Sequence, residues 1–249
     1  PDKIWEFNNN NSYSIVGNKK KKISDSPKNI IERIIQNFKF KIPKGLPPLS
    51  SLISGYFSYD IIRYLENIPD SCKDDLNIPD ARLLRPLVLV IHDNIEKKIF
   101  YIVNCFKDEK IKDYNKKYTQ IKKIIEDLIF KSNYSLNVSN EKKSSKKIKI
   151  KSNISKKKFV NNVVKAKKYI KIGDIFQVVL SQRFETDLVK SPLEIYKKLR
   201  ITNPSPFMYF FNFEDFQIIG ASPEILVRLR NNQITIRPIA GTRPRGKNK

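Results

Sequence analysis

Histidine is almost missing from this chain: His92 is the only one among 249 residues. It follows the apolar run LVLVI and lies far from every other candidate motif, so it reads as a hairpin residue and not as a catalyst. With one imidazole, two cysteines and no His, Cys, Asp or Glu cluster at ligand spacing, the sequence offers no metal centre of its own. Cys72 and Cys105 lack CxxC spacing and cannot make a disulfide framework, so a reduced, cytoplasmic setting is the default expectation. Long apolar runs are absent too. The longest clean one, residues 87–91, is far too short to span a bilayer, and no basic-then-apolar leader opens the chain. A soluble protein is expected.

Acidic residues are scarce, 25 against 49 lysines and arginines, which gives a formal net charge of +24. Such an excess first suggests nucleic acid, because Lys and Arg contacts to phosphate dominate that kind of binding. The distribution argues otherwise. The excess is mostly lysine, scattered from KKKK at 19–22 through many KK pairs, and it accompanies abundant Asn and Ile. These three residues share A/T-rich codons, so genome composition accounts for the bias. No aromatic-and-basic platform appears among the lysine runs, which ranks a nucleic-acid binder last. A positive field would still steer an anionic substrate.

What is present is a succession of helix and strand signals. PKNIIERIIQNF (27–38) spaces Ile30, Ile31, Ile34, Ile35 and Phe38 for one face of a helix. ISGYFSYDIIRYLE starts strand-like and ends as a helix. RPLVLVIHD and KKIFYIVNCF are β-rich runs separated by NIEK, a hairpin. Residues 110–130 form a lysine-rich helix with Ile121, Ile124, Ile125 and Leu128 on one face. Residues 132–154 are polar, too poor in apolar surface to offset their ordering entropy, and read as a linker between a region at 1–131 and another at 155–249.

In the second region Ser155 is placed to cap a helix whose stripe is Phe159, Val163, Ala166 and Ile170, with Gly173 at the C-terminal cap position. DIFQVVLSQRF (174–184) alternates as a strand. Ser191-Pro192-Leu193-Glu194 is a capping box. FMYFFNF, FQIIGAS, EILVRLR and QITIRPI read as an antiparallel meander with Asn231-Asn232 as a tight turn. Helices with an antiparallel sheet core define an α+β class.

Two residues and one loop stand out chemically. Gln177 interrupts a strand of Val, Ile and Leu; on physical grounds it is a hydrogen-bonded core glutamine, since a buried unpaired amide is costly. Glu224 is the one acid in the apolar stretch ASPEILV, a setting that can raise a carboxyl pKa and prepare it to donate a proton, although a solvent-facing charge at a strand start fits equally. The loop RPIAGTRPRG (237–246) fixes φ at Pro238 and Pro244, while Gly241 permits close backbone approach to a flat anionic ligand.

Taken together, GYFSYDIIRYLE (55–66), GDIFQVVLSQRF (173–184), TNPSPFMYFF (202–211), GASPEILVRL (220–229) and RPIAGTRPRG resemble the chorismate-utilising enzymes, most closely the large subunits of anthranilate synthase. The resemblance covers most of the chain. It implies the anthranilate synthase fold with its C-terminal part missing, since family members have about another half of the catalytic domain to come after the position of Lys249. The absence of an initiator Met also fits a fragment. The implied reaction converts chorismate and ammonia, supplied from glutamine by an amidotransferase subunit, into anthranilate and pyruvate, the first step of tryptophan biosynthesis. In the similar enzymes the glutamate of the SPE motif protonates the departing ring hydroxyl, a role carried here to Glu224. Gln177 stands where water-adding relatives have a lysine base, and as glutamine it would orient groups near the attacked carbon. Ala240 stands where aminodeoxychorismate-forming relatives have a nucleophilic lysine. Gly241 and Thr242 would line the ring, with the Thr242 hydroxyl bonding a substrate oxygen, or else form an ordinary strand-end turn. Asn203, Pro204, Ser205, Pro206, Phe207 and Met208 match a segment of the tryptophan feedback site, with Phe207 in place of the common Tyr and no LLES-like element to complete it. The segment also serves as a rigid helix-to-strand connection. The resemblance implies Mg2+, with ligands and an assisting histidine expected beyond residue 249. The competing readings are a non-catalytic truncated remnant, an aminodeoxychorismate synthase and a basic nucleic-acid binder.

Overall fold

The computed structural model describes residues 1–38, 41–106, 113–132 and 148–239, the side chain of Tyr114 excepted. The chain divides into two compact units, Pro1–Ser139 and Asn140–Lys249.

The first unit is built on a five-stranded antiparallel sheet. β1 (Lys3–Asn8), β2 (Asn11–Val16) and β3 (Lys19–Ile23) form a meander, and β4 (Ser54–Phe57) and β5 (Ala81–Arg85) complete the order β3-β2-β1-β5-β4. Asn9 and Asn10, with φ of 47° and 61°, turn β1 into β2, the left-handed pair that a two-residue hairpin requires. Four consecutive lysines, Lys19–Lys22, occupy edge strand β3, where charge discourages pairing with a foreign strand. On one face of the sheet Trp5, Phe7, Ala81 and Leu83 meet Ile30 and Ile34 of α1 (Pro27–Asn37) to make the core. Each fully buried aliphatic or aromatic side chain there contributes about 1.5–3 kcal/mol. Ser26 caps α1 by accepting from the Asn29 N–H at 3.2 Å, and Pro27 fills the first turn, where its missing donor costs nothing. Helical spacing placed Ile35 on the same stripe, but it faces solvent.

The opposite face carries a buried ion cluster. Glu6 lies opposite Arg82 in the ladder and accepts from its guanidinium, and Lys20 Nζ reaches the other carboxylate oxygen at 2.6 Å. Gly55 is opposite Leu83, and a Cβ there would stand 2.0 Å from the Arg82 carbonyl oxygen, so only glycine lets β4 close on β5. The segment expected to end as a helix does so as a 3-10 helix, Tyr59–Tyr64. Tyr64 Oη donates to Asp80, which also accepts the Asn9 N–H at 2.9 Å, so one carboxylate ties this turn to the β1–β2 hairpin.

β6 (Val88–Asp93) and β7 (Lys98–Val103) form the expected hairpin, with His92 exposed opposite Ile99. Asp93 closes its turn by accepting the N–H groups of Ile95 and Glu96 at 2.8 and 3.0 Å. α2 (Tyr114–Ser132) packs on β7, where Tyr101 Oη meets Ser132 Oγ at 2.6 Å. Its described start is four residues later than the lysine-rich run suggested. Cys72 and Cys105 are free and exposed.

The second unit begins its described part inside the presumed linker: β8 (Lys151–Ser152) pairs with β9 (Phe184–Glu185). Between them runs α3 (Lys156–Ile172), capped by Ser155 and ended by Gly173 at φ 86° as its spacing foretold. α4 (Pro192–Thr202) opens on the expected reciprocal capping box, Ser191 with Glu194, and Tyr196 packs on Phe210 at 5.8 Å between ring centroids. β10 (Phe207–Asn212) pairs with β11 (Gln217–Ser222), and β12 (Arg228–Arg230) with β13 (Gln233–Thr235) through Asn231 and Asn232 at φ of 51° and 60°. The meander thus appears as two separate hairpins, with the turn at residues 223–227 unpaired between them.

DIFQVVLSQRF departs from its strand expectation. Residues 175–183 enter no ladder among the described residues; the β8–β9 ladder begins at Phe184, beside Arg183, whose carbonyl accepts the Asn153 N–H and whose N–H donates to Asn153 Oδ1, both at 3.0 Å. Alternation describes a strand's two faces but supplies no neighbour for its N–H and C=O groups. No described helix is long and apolar enough to cross a membrane.

Candidate functional site

The end of β11 positions the candidate acid. Ser222 is the last strand residue; its hydroxyl donates to the Glu224 carbonyl at 2.9 Å and accepts the Glu224 N–H at 3.4 Å. With Pro223 between them, this local closure leaves the backbone little freedom at the residue whose side chain matters. Glu224 is half-buried, not a fully solvated strand-start charge. Its Oε1 accepts the backbone N–H of Ile239 at 3.2 Å. Ile239 is the residue immediately before Ala240, so a side chain from ASPEILV reaches the threshold of the PIAGT loop. Ala240, Gly241 and Thr242 themselves lie outside the described residues.

The same strand pair brings in a third motif. Asn203 ends α4, its N–H donating to the Leu199 carbonyl at 2.8 Å, and Pro204, Ser205 and Pro206 connect it to β10. The two prolines fix the exit, so Phe207 and Met208 enter the ladder directly opposite Ser222 and Ala221. Asn203–Met208 therefore is the rigid helix-to-strand connection expected of it, and it lies beside the Glu224 turn. Among the described contacts, the Glu224–Ile239 hydrogen bond and the Phe207–Ser222 register join three of the sequence motifs.

Gln177 is not a core glutamine. It is exposed on the segment 175–183, which enters no ladder among the described residues, and no described hydrogen bond joins it to Glu224 or Ile239. A pattern of Val, Ile and Leu predicts burial only once a second layer covers the strand.

Gly220 and Tyr209 have a relationship that motif reading passed over. They are ladder partners, and a Cβ on Gly220 would stand 2.2 Å from Tyr209 ring atoms, so the ring lies across the glycine. The ring begins a row in which Tyr209, Phe211, Phe213 and Phe216 follow one another at 5.9, 5.6 and 5.1 Å. An isolated glycine inside a strand was the available signal. No group of three His, Cys, Asp or Glu side chains among the described residues converges as metal ligands do.

The α+β architecture agrees with the comparisons with known proteins. Residues 2–249 match the family of chorismate binding enzymes, and the chain belongs to that family. Among curated relatives it is 39% identical over 233 residues to anthranilate synthase component 1 of Acetivibrio thermocellus, covering 92% of this chain and 47% of that one. It is likewise 39% identical over 225 residues to the Aquifex aeolicus protein of the same name, covering 89% and 44%. The crystal structure of anthranilate synthase component I from Streptococcus pneumoniae superposes with a TM-score of 0.79 at 28% identity, over 94% of this chain and 51% of that one. The chain spans about half the length of the curated relatives it matches.

Proposed function

We propose that the protein is an anthranilate synthase of the component 1 type, which aminates chorismate at ring carbon two, expels the carbon-four hydroxyl as water, and then eliminates pyruvate to leave anthranilate. The observation that carries this reading is the Glu224 carboxylate held on the Ile239 N–H at 3.2 Å, at the entrance to PIAGT. A carboxylic acid placed there transfers its proton to the departing hydroxyl, so water leaves in place of hydroxide while ammonia forms the new C–N bond. Such general acid catalysis contributes typically about 10²–10⁴-fold.

Supporting roles follow from the neighbouring motifs. Ala240 presents no side-chain nucleophile, which favours direct addition of ammonia over a covalent lysine adduct. Gly241 and the Thr242 hydroxyl line the ring, and Gln177 orients groups near the attacked carbon once its strand is covered. A glutamine amidotransferase subunit supplies ammonia, consistent with relatives named as a numbered component. Magnesium belongs to the reaction by resemblance, but the described residues provide no ligand cluster for it, and no step is assigned to it. Asn203–Met208 is the proposed inhibitor segment for tryptophan, with Phe207 forgoing the hydroxyl that Tyr would offer.

The direct test is product identity. The intact protein, given chorismate, magnesium and ammonium, is expected to release anthranilate and pyruvate in equal amounts. Aminodeoxychorismate or isochorismate as the sole product overturns the assignment.

A further inference from the structure

Ser222 uses its single hydroxyl on both sides of the residue two places ahead. Oγ donates to the Glu224 carbonyl at 2.9 Å and accepts the Glu224 N–H at 3.4 Å. Hydroxyl side chains make local bonds of this kind at many turns, where they do no more than end a strand. The difference here lies in the residue that is gripped. Glu224 sends its own carboxylate to the Ile239 N–H, 15 positions away, at 3.2 Å.

Few torsions stay free in this turn. The Pro223 ring fixes its φ at about −65°. A residue before proline is held extended, and Ser222 is also the last residue of β11, opposite Phe207 in the ladder. What remains is ψ of Pro223 together with φ and ψ of Glu224. Accepting the Glu224 N–H restrains the first two, and donating to the Glu224 carbonyl restrains the last. The direction of the Glu224 Cα–Cβ bond is therefore set from β11 through Ser222 Oγ. Ser222 and Glu224 are both half-buried, so water competes less for these bonds than it does at an open turn. A protonated carboxyl that accepts an N–H through Oε1 holds its transferable proton on Oε2, and the place of that oxygen follows the same Cα–Cβ direction.

We propose that Ser222 is a positioning residue for proton transfer from Glu224. Its hydroxyl fixes the Glu224 backbone so that Oε1 stays on the Ile239 N–H and Oε2 faces the departing hydroxyl of the substrate. The proton leaves Oε2 for that oxygen as the carbon–oxygen bond breaks, giving a carboxylate and water. Ser222 acts through Glu224 alone, and the inference rests on the proposed reading of Glu224 as the acid.

The test is a double-mutant cycle in the intact protein, followed by steady-state anthranilate release. Ser222→Ala is expected to lower kcat at least about tenfold, since small misplacements of a reacting group are costly, with the KM for chorismate changed less than about twofold. Ser222→Thr keeps the hydroxyl and should hold kcat within about threefold of the parent protein. In the Glu224→Gln background, Ser222→Ala should lower kcat by less than about a further twofold, because the proton it positions is already gone. A second measurement is independent of turnover. Amide hydrogen exchange in the 249-residue chain is expected to accelerate at Ile239 at least about threefold in Ser222→Ala, with the β10–β11 ladder unchanged. Full turnover in Ser222→Ala beside a deficient Glu224→Gln overturns this inference alone, as do losses that multiply in the double variant, a loss that Ser222→Thr shares, or unchanged exchange at Ile239. Full turnover in Glu224→Gln overturns the acid reading, and the inference with it.

Discussion

The Glu224 carboxylate accepts the backbone N–H of Ile239 at 3.2 Å, spanning 15 positions of sequence to link the turn after β11 with the start of the PIAGT loop. Glu224 is held from both ends, because the Ser222 hydroxyl closes its backbone while Ile239 receives its side chain. A surface carboxylate has no need of either restraint.

Removing the Ile239 donor separates positioning from chemistry. Ile239→Pro follows Pro238 and deletes the N–H while leaving Glu224 intact. A neutral hydrogen bond contributes a net of about 0.5–1.5 kcal/mol and one to a charged group about 1.5–3 kcal/mol. Turnover is expected to fall roughly tenfold, with the KM for chorismate changed less than twofold. An unchanged kcat would mean that Glu224 is oriented by something else.

Gly220→Ala places a methyl group into space held by the Tyr209 ring. Overpacking of this sort costs typically about 1–3 kcal/mol. Trimming the ring should relieve it, so Gly220→Ala combined with Tyr209→Ala is expected to be less destabilising than the sum of the two single changes. Urea unfolding of the four proteins measures the coupling.

In the first unit, Glu6→Ala leaves the buried Arg82 guanidinium without its carboxylate. Breaking a buried pair from one side costs about 3–5 kcal/mol. Thermal unfolding should show a large loss, whereas Lys98→Ala, which breaks an exposed pair with Glu96, should leave the unfolding temperature nearly unchanged.

Tyr64 provides an alkaline signature. Burial pushes its phenol pKa well above the ordinary 10.0, and the hydrogen bond it donates to Asp80, with that carboxylate's charge, pushes in the same direction. A raised folded-state value means the neutral form is favoured by folding. Its contribution is fully present below the unfolded value and is lost as pH rises beyond it. Stability of the first unit should therefore decline above about pH 10, and Tyr64→Phe should lower stability at neutral pH while flattening that decline. An identical alkaline slope in both proteins would assign the loss to other groups.

Local chemistry made much of the fold legible. Ser155 and Ser191 mark two helix starts, Gly173 ends one helix, and Asn231-Asn232 turns a hairpin, because each acts within a few residues of itself. What depended on distant polypeptide was not legible. Residues 175–183 have the alternation of a strand but enter no ladder among the described residues, and Gln177 is exposed where its neighbours imply burial. The Tyr59–Tyr64 turn kept apolar residues at helical spacing, but its Tyr64 is drawn onto Asp80 and it closes as a 3-10 turn. Of the site, the Glu224 and Asn203–Met208 motifs were visible as patterns. Their approach became visible only through the β10–β11 register, and the Glu224–Ile239 bond has no sequence signature at all.

The most direct measurement compares steady-state anthranilate release by the intact protein and its Glu224→Gln variant at matched folding. Glutamine keeps an amide oxygen to accept the Ile239 N–H and nearly the same shape, and it removes the transferable proton. The variant is expected to fold normally and bind chorismate while losing turnover by about 10²–10⁴-fold. Turnover within a few-fold of the parent protein would contradict the role of Glu224 as proton donor and, with it, the assignment of this site.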